Sequence, residues 1–291
     1  MNHDLISKIE SIELAAKQVV EGYLAGRHRS PRFGFAVEFA QHREYAPGDD
    51  IKHLDWKVFG RTERYHLKQY EQETNFIAWL LVDASGSMRY GSTAKTKFDA
   101  AAALASGLSH LIVRQTDSVG FVLIGEGVKT LLKPSATLGQ TKDIARFLAE
   151  GPADMPGTMM KSVQDVAAQL GRRGIVFLIS DLLDDVPELL NAIRRLRFQK
   201  HEVVVLHVID PAELEFPFRH PTEFIGLENL GKLPTDPLSI RETYLKGLNE
   251  HLTAIEQGCR ELETDYLRLR TDANLGAELA TYLRVREARA T

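Results

Sequence analysis

The sequence predicts an α/β protein built on a mostly parallel sheet with helices on both faces. Continuously apolar segments such as 76–82 and 175–180 are typical of strands that are buried on both faces of a parallel sheet. From residue 76 onward, segments with the three- and four-residue apolar spacing of helices alternate with these strands. The length of 291 residues is enough for one large domain or two small ones.

The first 75 residues do not follow this alternation. Apolar residues from Leu5 to Tyr23 recur at helical spacing, which predicts a helix over 4–24. Residues 31–75 are rich in aromatic and charged side chains and lack a helical period, so we expect short strands and turns there. We therefore predict a segment 1–75 that packs on a main domain formed by 76–291.

The main domain is predicted to contain six strands and six helices. The predicted strands are 76–82, 119–124, 128–132, 175–180, 202–208 and 266–269. The predicted helices are 97–114, 138–150, 158–170, 187–198, one that ends near 262, and one that closes the chain. Thr137 with Gln140, and Ser239 with Glu242, have the spacing of capping boxes. Asp272 is expected to cap the last helix.

Composition narrows the class of protein. Lys and Arg total 36 against 40 Asp and Glu, a net charge of −4, which argues against a DNA-binding protein. The single cysteine, Cys259, cannot form an intrachain disulfide, and its place in an apolar helix stripe predicts a buried thiol. No apolar run approaches the roughly 20 residues of a membrane span. We expect a cytoplasmic protein that does not insert into the membrane.

Polar side chains follow two of the predicted buried strands. Asp83, Ser85 and Ser87 come after the first strand, and Asp181 follows the strand 175–180. Thr158 begins a predicted helix after a glycine-containing turn. Ligands of open α/β sheets bind outside the carboxyl ends of the strands, so we expect these loops to meet. Hydroxyls and few carboxylates suit Mg²⁺, with Mn²⁺ as an alternative, and leave the ion able to accept an outside carboxylate.

In the same order along the chain, these residues resemble the metal ion-dependent adhesion site of the von Willebrand factor type A fold. That site has the pattern Asp-x-Ser-x-Ser, then a distant Thr, then a distant Asp. The resemblance implies hydroxyl ligands from Ser85, Ser87 and Thr158. It also implies that Asp83 and Asp181 anchor waters or alternate as direct ligands. The expected fold is accordingly von Willebrand factor type A-like.

The N-terminal part closely resembles the bacterial domain-of-unknown-function 58 family. The segments that carry this resemblance are 38–45, 47–50, 54–56 and Arg61. The resemblance implies a von Willebrand type A-like domain that is commonly encoded with a MoxR-type AAA+ ATPase and acts with it in assembling or activating other proteins. The expected partner is therefore such an ATPase or its client, which donates a carboxylate.

Three functional hypotheses follow. The leading one is a non-enzymatic, metal-dependent protein-binding module, an adaptor of the ATPase. One alternative is a metal-dependent phosphoester hydrolase that uses the same ion as a Lewis acid, although the three loops contain no histidine to act as a general base. The other is an RNA-binding module, because some type A-like domains belong to RNA-binding proteins. The sequence has no P-loop, so ATPase activity would belong to a separate partner.

Overall fold

The computed structural model describes residues 3–25, 37–44, 55–62, 64–72, 77–152, 159–171, 173–227 and 231–290. The chain forms two compact units. The sheet unit comprises Met1–Pro31 and Ile77–Thr291, and the small unit comprises Arg32–Phe76. The first helix thus groups with the sheet unit, and of the segment predicted as 1–75 only the part from Arg32 is separate. How that part packs stays a prediction.

Helices and strands alternate along most of the chain. The helices are α1 (His3–Ala25), α2 (Trp56–Thr62), α3 (Lys97–Arg114), α4 (Leu138–Leu148), α5 (Met159–Ala167), α6 (Val186–Phe198), α7 (Pro211–Glu215), α8 (Pro237–Glu261) and α9 (Leu275–Ala290). The strands are β1 (Val37–Glu44), β2 (His66–Gln72), β3 (Ile77–Asp83), β4 (Ser118–Gly125), β5 (Gly127–Ser135), β6 (Ile175–Ser180), β7 (Glu202–Ile209), β8 (Thr222–Ile225), β9 (Lys232–Thr235) and β10 (Asp265–Arg270). Within the described segments, none of the helices has the length and apolar character of a bilayer span.

The small unit contains an antiparallel pair of strands and one short helix. β1 pairs with β2, so that Val37 lies opposite Gln72. The ring of Phe59 in α2 stacks on the ring of Tyr65, with ring centres 4.6 Å apart. Short strands and turns were predicted in this region, of which residues 45–54 lie outside the described part of the chain.

The sheet unit is built on six strands in the order β10-β7-β6-β3-β4-β5. All neighbours are parallel except β4 and β5, which form an antiparallel hairpin at one edge. From β3 the chain builds the sheet outward in one direction and then in the other, so a switch point lies between β3 and β6. This order confirms the predicted fold class, a von Willebrand factor type A-like α/β fold.

Helices cover both faces of the sheet. Apolar side chains of α5, α6 and α8 form a core with one face, and α3 packs on the other with α1 and α9 around it. Trp79 in β3 is buried in the first core, and its indole N–H donates to the Leu170 carbonyl at 3.0 Å. Gly120 in β4 leaves room for this ring, because a Cβ there would lie 2.5 Å from it. The N-terminal helix packs on α3, within the layer of helices that covers this second face.

The capping box predicted at Thr137 is wrong. Thr137 is the N-cap of α4, but its side chain makes no capping hydrogen bond. Gln140 instead donates its amide hydrogens to the carbonyls of Val119 and Lys133, each at 2.9 Å. The Gln140 side chain is buried, so it satisfies backbone groups of the neighbouring strands rather than its own helix.

The N-caps of α8 and α9 also differ from the predicted residues. Asp236 caps α8 by accepting a hydrogen bond from the Leu238 amide at 3.1 Å, and Ser239 lies inside the helix. Asn274 accepts from the third residue of α9, while the Asp272 carboxylate forms an ion pair with an arginine. Each helix thus begins at a nearby Asx residue that the sequence analysis passed over.

Candidate metal centre

Four of the five predicted ligands line one small cavity at the carboxyl edge of the sheet. Asp83 ends β3, Ser85 and Ser87 lie in the following loop and 3-10 turn, and Asp181 follows β6. The cavity measures about 40 Å³, room for about three water-sized particles. Thr158 lies outside the described residues, so its place at the site stays a prediction.

Both oxygens of the Asp83 carboxylate are held by hydrogen bonds. Oδ1 accepts from the Ser85 amide at 2.9 Å, and Oδ2 accepts from the Ser180 hydroxyl at 2.5 Å. The Ser180 oxygen in turn accepts from the Leu182 amide at 3.0 Å. The carboxylate therefore has a fixed orientation, which Ser180, a residue that the sequence analysis did not single out, helps to set.

The hydroxyls of Ser85 and Ser87 are neighbours at the site. Their oxygens lie 3.0 Å apart, a hydrogen-bond distance at which either can donate. Oxygens at this spacing can both coordinate a small hard cation, because neighbouring ligands of an octahedral Mg²⁺ ion at about 2.1 Å are about 3 Å apart. Two carboxylates and two hydroxyls thus form a donor set of the kind that the sequence predicts.

The environment of Asp83 is short of positive charge. Burial and, second, the nearby Asp181 carboxylate raise the pKa of Asp83 from 3.8 to about 7, against the opposing hydrogen bonds from Ser180 and Ser85. A carboxylate in this position either takes up a proton or requires a cation beside it. The raised pKa of Asp83 is therefore consistent with a cation-binding site.

A buried lysine lies next to the predicted ligands. Lys97, the first residue of α3, is 1% exposed, and its ammonium lies 2.7 Å from Oδ2 of Asp181 and 2.6 Å from Oε1 of Glu213. With Asp83, these side chains carry three negative charges and one positive charge when all are ionised, a net charge of −2. Asp184, which also lines the cavity, adds a further carboxylate. The site therefore has an excess of negative charge, and the residues present fit a bound Mg²⁺ ion.

The loop after Asp181 has an unusual backbone conformation. Leu182 has a φ angle of +52°, in the left-handed region that a branched side chain rarely adopts. Its side chain is fully buried, and its carbonyl lies 2.9 Å from Nε2 of His251 in α8. Strained backbone that the surroundings hold in place is common at functional sites.

The side chains that line the cavity indicate which ligands a metal ion would have and whether a histidine base is present. Among the described residues, no group of three or more His, Cys, Asp or Glu side chains is arranged to hold a metal ion. A metal here would depend on hydroxyl ligands and water in addition to Asp83 and Asp181. The lining of the cavity includes no histidine among the described residues, so the hydrolase alternative gains no histidine base from it.

The fold and the site define a class of protein: a von Willebrand factor type A-like α/β protein with carboxylates and hydroxyls at the carboxyl edge of its sheet. The sequence model of the family described as "Protein of unknown function DUF58" matches residues 41–254, and the chain belongs to this family. The uncharacterized proteins Rv1480 of Mycobacterium tuberculosis and Mb1516 of Mycobacterium bovis are each 28% identical to it over 287 residues. That alignment covers 96% of this chain and 89% of each of them.

Solved structures with some similarity include the conserved hypothetical protein BatB from Bacteroides thetaiotaomicron and the SpRpn10 VWA domain. The first has a TM-score of 0.47 and 17% identity, and covers 74% of this chain and all of its own. The second has a TM-score of 0.42 and 14% identity, and covers 72% of this chain and 95% of its own.

Proposed function

We propose that this protein is a non-enzymatic, metal-dependent protein-binding module. It holds Mg²⁺, or Mn²⁺ in its place, with Asp83, Ser85, Ser87 and Asp181, and with Thr158 as the fifth side chain. The observation that carries this proposal is the cavity at which the carboxylates of Asp83 and Asp181 meet two hydroxyls in a cluster with a net negative charge.

The chain's own residues determine how strongly the site attracts an acidic partner. The two serine hydroxyls are neutral, so the negative charge at the cavity comes from the carboxylates that line it, Asp83, Asp181 and Asp184. Lys97 shares Oδ2 of Asp181, which lowers the negative charge that this residue offers. A bound Mg²⁺ ion would supply a positive centre that accepts an outside carboxylate, because its six oxygen positions exceed the donors available.

We propose that the carboxylate comes from a MoxR-type AAA+ ATPase or from its client, and that the complex forms in the cytoplasm. Membership in the DUF58 family supports this proposal through the association that the family resemblance implies. The protein would then act as an adaptor, and the ATPase would supply the nucleotide chemistry for which this sequence has no P-loop.

Affinity capture with a purified MoxR-type ATPase from the same cell tests the proposal. The immobilised wild-type protein is expected to retain the ATPase in Mg²⁺, and the Ser85→Ala variant to lose most of it. Ser85 is suitable because its hydroxyl bonds to groups of the site itself, Ser87 and the Asp83 carboxylate, so the substitution changes the site and removes only one small group. Asp165→Asn, at an exposed position of α5, is the matched control and should bind as the wild type does.

The experiment compares variants and does not use a chelator. A chelator would also remove the Mg²⁺ that the ATPase itself uses with nucleotide. Equal retention by the wild type and by Ser85→Ala would show that the ATPase does not bind through the metal centre. Retention by neither protein would show that this ATPase is not the partner.

A further inference from the structure

A second cavity lies at the opposite edge of the sheet from the metal centre, beside the amino end of β7. Its volume is about 630 Å³, and five Arg or Lys side chains and three acidic side chains line it. The lining also includes Phe198, the last residue of α6, and His201, which immediately precedes β7. Because the strands are parallel, this edge is remote from the loops that carry Asp83 and Asp181.

Two of the five cations are available to a ligand. Arg173, Arg197 and Arg286 each lie within ion-pair distance of acidic residues, and these acids also line the cavity. In the part of the chain that the structure describes, no carboxylate lies within ion-pair distance of Arg194 or Lys200. The cavity therefore keeps a local positive charge in a protein whose overall charge is −4.

His201 is a buried polar side chain without a hydrogen bond. Its exposure is 1%, and neither ring nitrogen has a partner within hydrogen-bond geometry. The nearby Gly174 carbonyl already accepts the Glu202 amide at 2.9 Å. Burial lowers the pKa of His201, against the opposing effect of that carbonyl, so the ring is neutral and carries one N–H donor. An oxygen atom of a bound ligand would satisfy this donor.

Phe198 supplies a flat apolar surface at the same cavity. Its side chain is 89% exposed, the largest value among the described large apolar residues. Arg194 and Lys200 line the same cavity. An exposed aromatic ring among cations is the arrangement by which proteins hold a nucleotide, with the base stacked on the ring and the phosphate near the positive charges.

We propose that this cavity binds a nucleotide. Arg194 and Lys200 neutralise its phosphate, His201 donates a hydrogen bond to a phosphate oxygen, and Phe198 stacks on its base. The binding is independent of the metal centre and of the proposed adaptor function. The nucleotide can be free or can belong to a single-stranded RNA, since both present the same phosphate and base.

Fluorescence of 2-aminopurine tests this proposal, because stacking on an aromatic ring quenches it. Wild-type protein is expected to bind the 2-aminopurine riboside 5′-monophosphate at least tenfold more tightly than the unphosphorylated riboside. The double variant Arg194→Gln/Lys200→Gln should lose about tenfold in affinity for the monophosphate, and Phe198→Leu should lose the quenching. Arg146→Gln is the matched control, since Arg146 lies over the ring of Phe147 on α4.

Several outcomes would overturn the proposal. Equal affinity for monophosphate and riboside would remove the phosphate site, and an equal loss in Arg146→Gln would make the effect non-specific. Inorganic phosphate added to the wild-type protein is expected to shift the imidazole NMR signals of His201, and unchanged signals would also count against the proposal. An octaribonucleotide that binds tenfold more tightly than the monophosphate identifies RNA as the source, whereas equal affinities identify a free nucleotide.

Discussion

Replacement of Lys97 by methionine tests how the metal centre is stabilised when no metal is bound. The ammonium of Lys97 lies 2.7 Å from Asp181 and 2.6 Å from Glu213, and the lysine side chain is 1% exposed. Methionine has a similar length and fills the same space, so the substitution removes mainly the charge. Two carboxylates then remain in a buried environment without their cation.

The expected loss is large. Breaking a buried ion pair by removing one partner costs about 3–5 kcal/mol in the free energy of unfolding. In a unit of this size, each kcal/mol lost from the free energy of unfolding lowers the melting temperature by about 2–4 °C. The melting temperature should therefore fall by about 6–20 °C. The double variant Lys97→Met/Glu213→Gln should recover part of this loss, because only one charged carboxylate then lacks a partner.

Urea unfolding followed by circular dichroism in the presence of a chelator measures these differences. Lys95→Met is the matched control, since Lys95 is exposed and lies two residues earlier, in the loop that leads into α3. It should change the free energy of unfolding by less than about 0.5 kcal/mol. If Lys97→Met is no less stable than Lys95→Met, the buried ion cluster does not hold the site together.

Four further predictions concern stability and reactivity. The folded-state pKa of Asp83, about 7, exceeds the unfolded value of 3.8, so the metal-free protein loses stability as pH rises between these values. In chelator at pH 8, urea unfolding should therefore show Asp83→Asn to be more stable than the wild type, by up to about 4 kcal/mol, and the difference should vanish at pH 3. The same assay should show that Gly120→Ala destabilises by about 1–3 kcal/mol, because its Cβ would lie 2.5 Å from the Trp79 ring. Gly247→Ala, mid-helix with open space around it, should instead stabilise by about 0.5–1 kcal/mol. Burial raises the pKa of Cys259 to about 12, so a disulfide reagent at pH 8 should modify it only in unfolded protein.

Much of the sheet unit was predictable because its central strands, such as β3 and β6, are almost continuously apolar. The predicted strand 175–180 and the predicted helix 97–114 match β6 and α3 residue for residue. Four predicted ligands meet at one cavity because parallel strands place their carboxyl ends at the same edge. That part of the site follows from local patterns together with the rule for ligands at sheet edges.

Other features depend on contacts between distant parts of the chain. Lys97 begins an amphipathic helix like many exposed lysines, and nothing in the local sequence indicates that its ammonium meets Asp181 and Glu213. The short helix α7 had a signal that was missed. Asp210 and Glu213 form a capping box, with a proline as the first helical residue.

Isothermal titration with Mg²⁺ measures whether the cavity at Asp83 and Asp181 binds a metal ion. The wild-type protein is expected to bind one Mg²⁺ ion, and the exposed control Asp165→Asn is expected to bind it equally well. Asp83→Asn should bind at least tenfold more weakly, because its side chain cannot supply the charge that the cluster needs. Absence of Mg²⁺ binding by the wild type, or equal binding by Asp83→Asn, would contradict the assignment of this cavity as a metal centre.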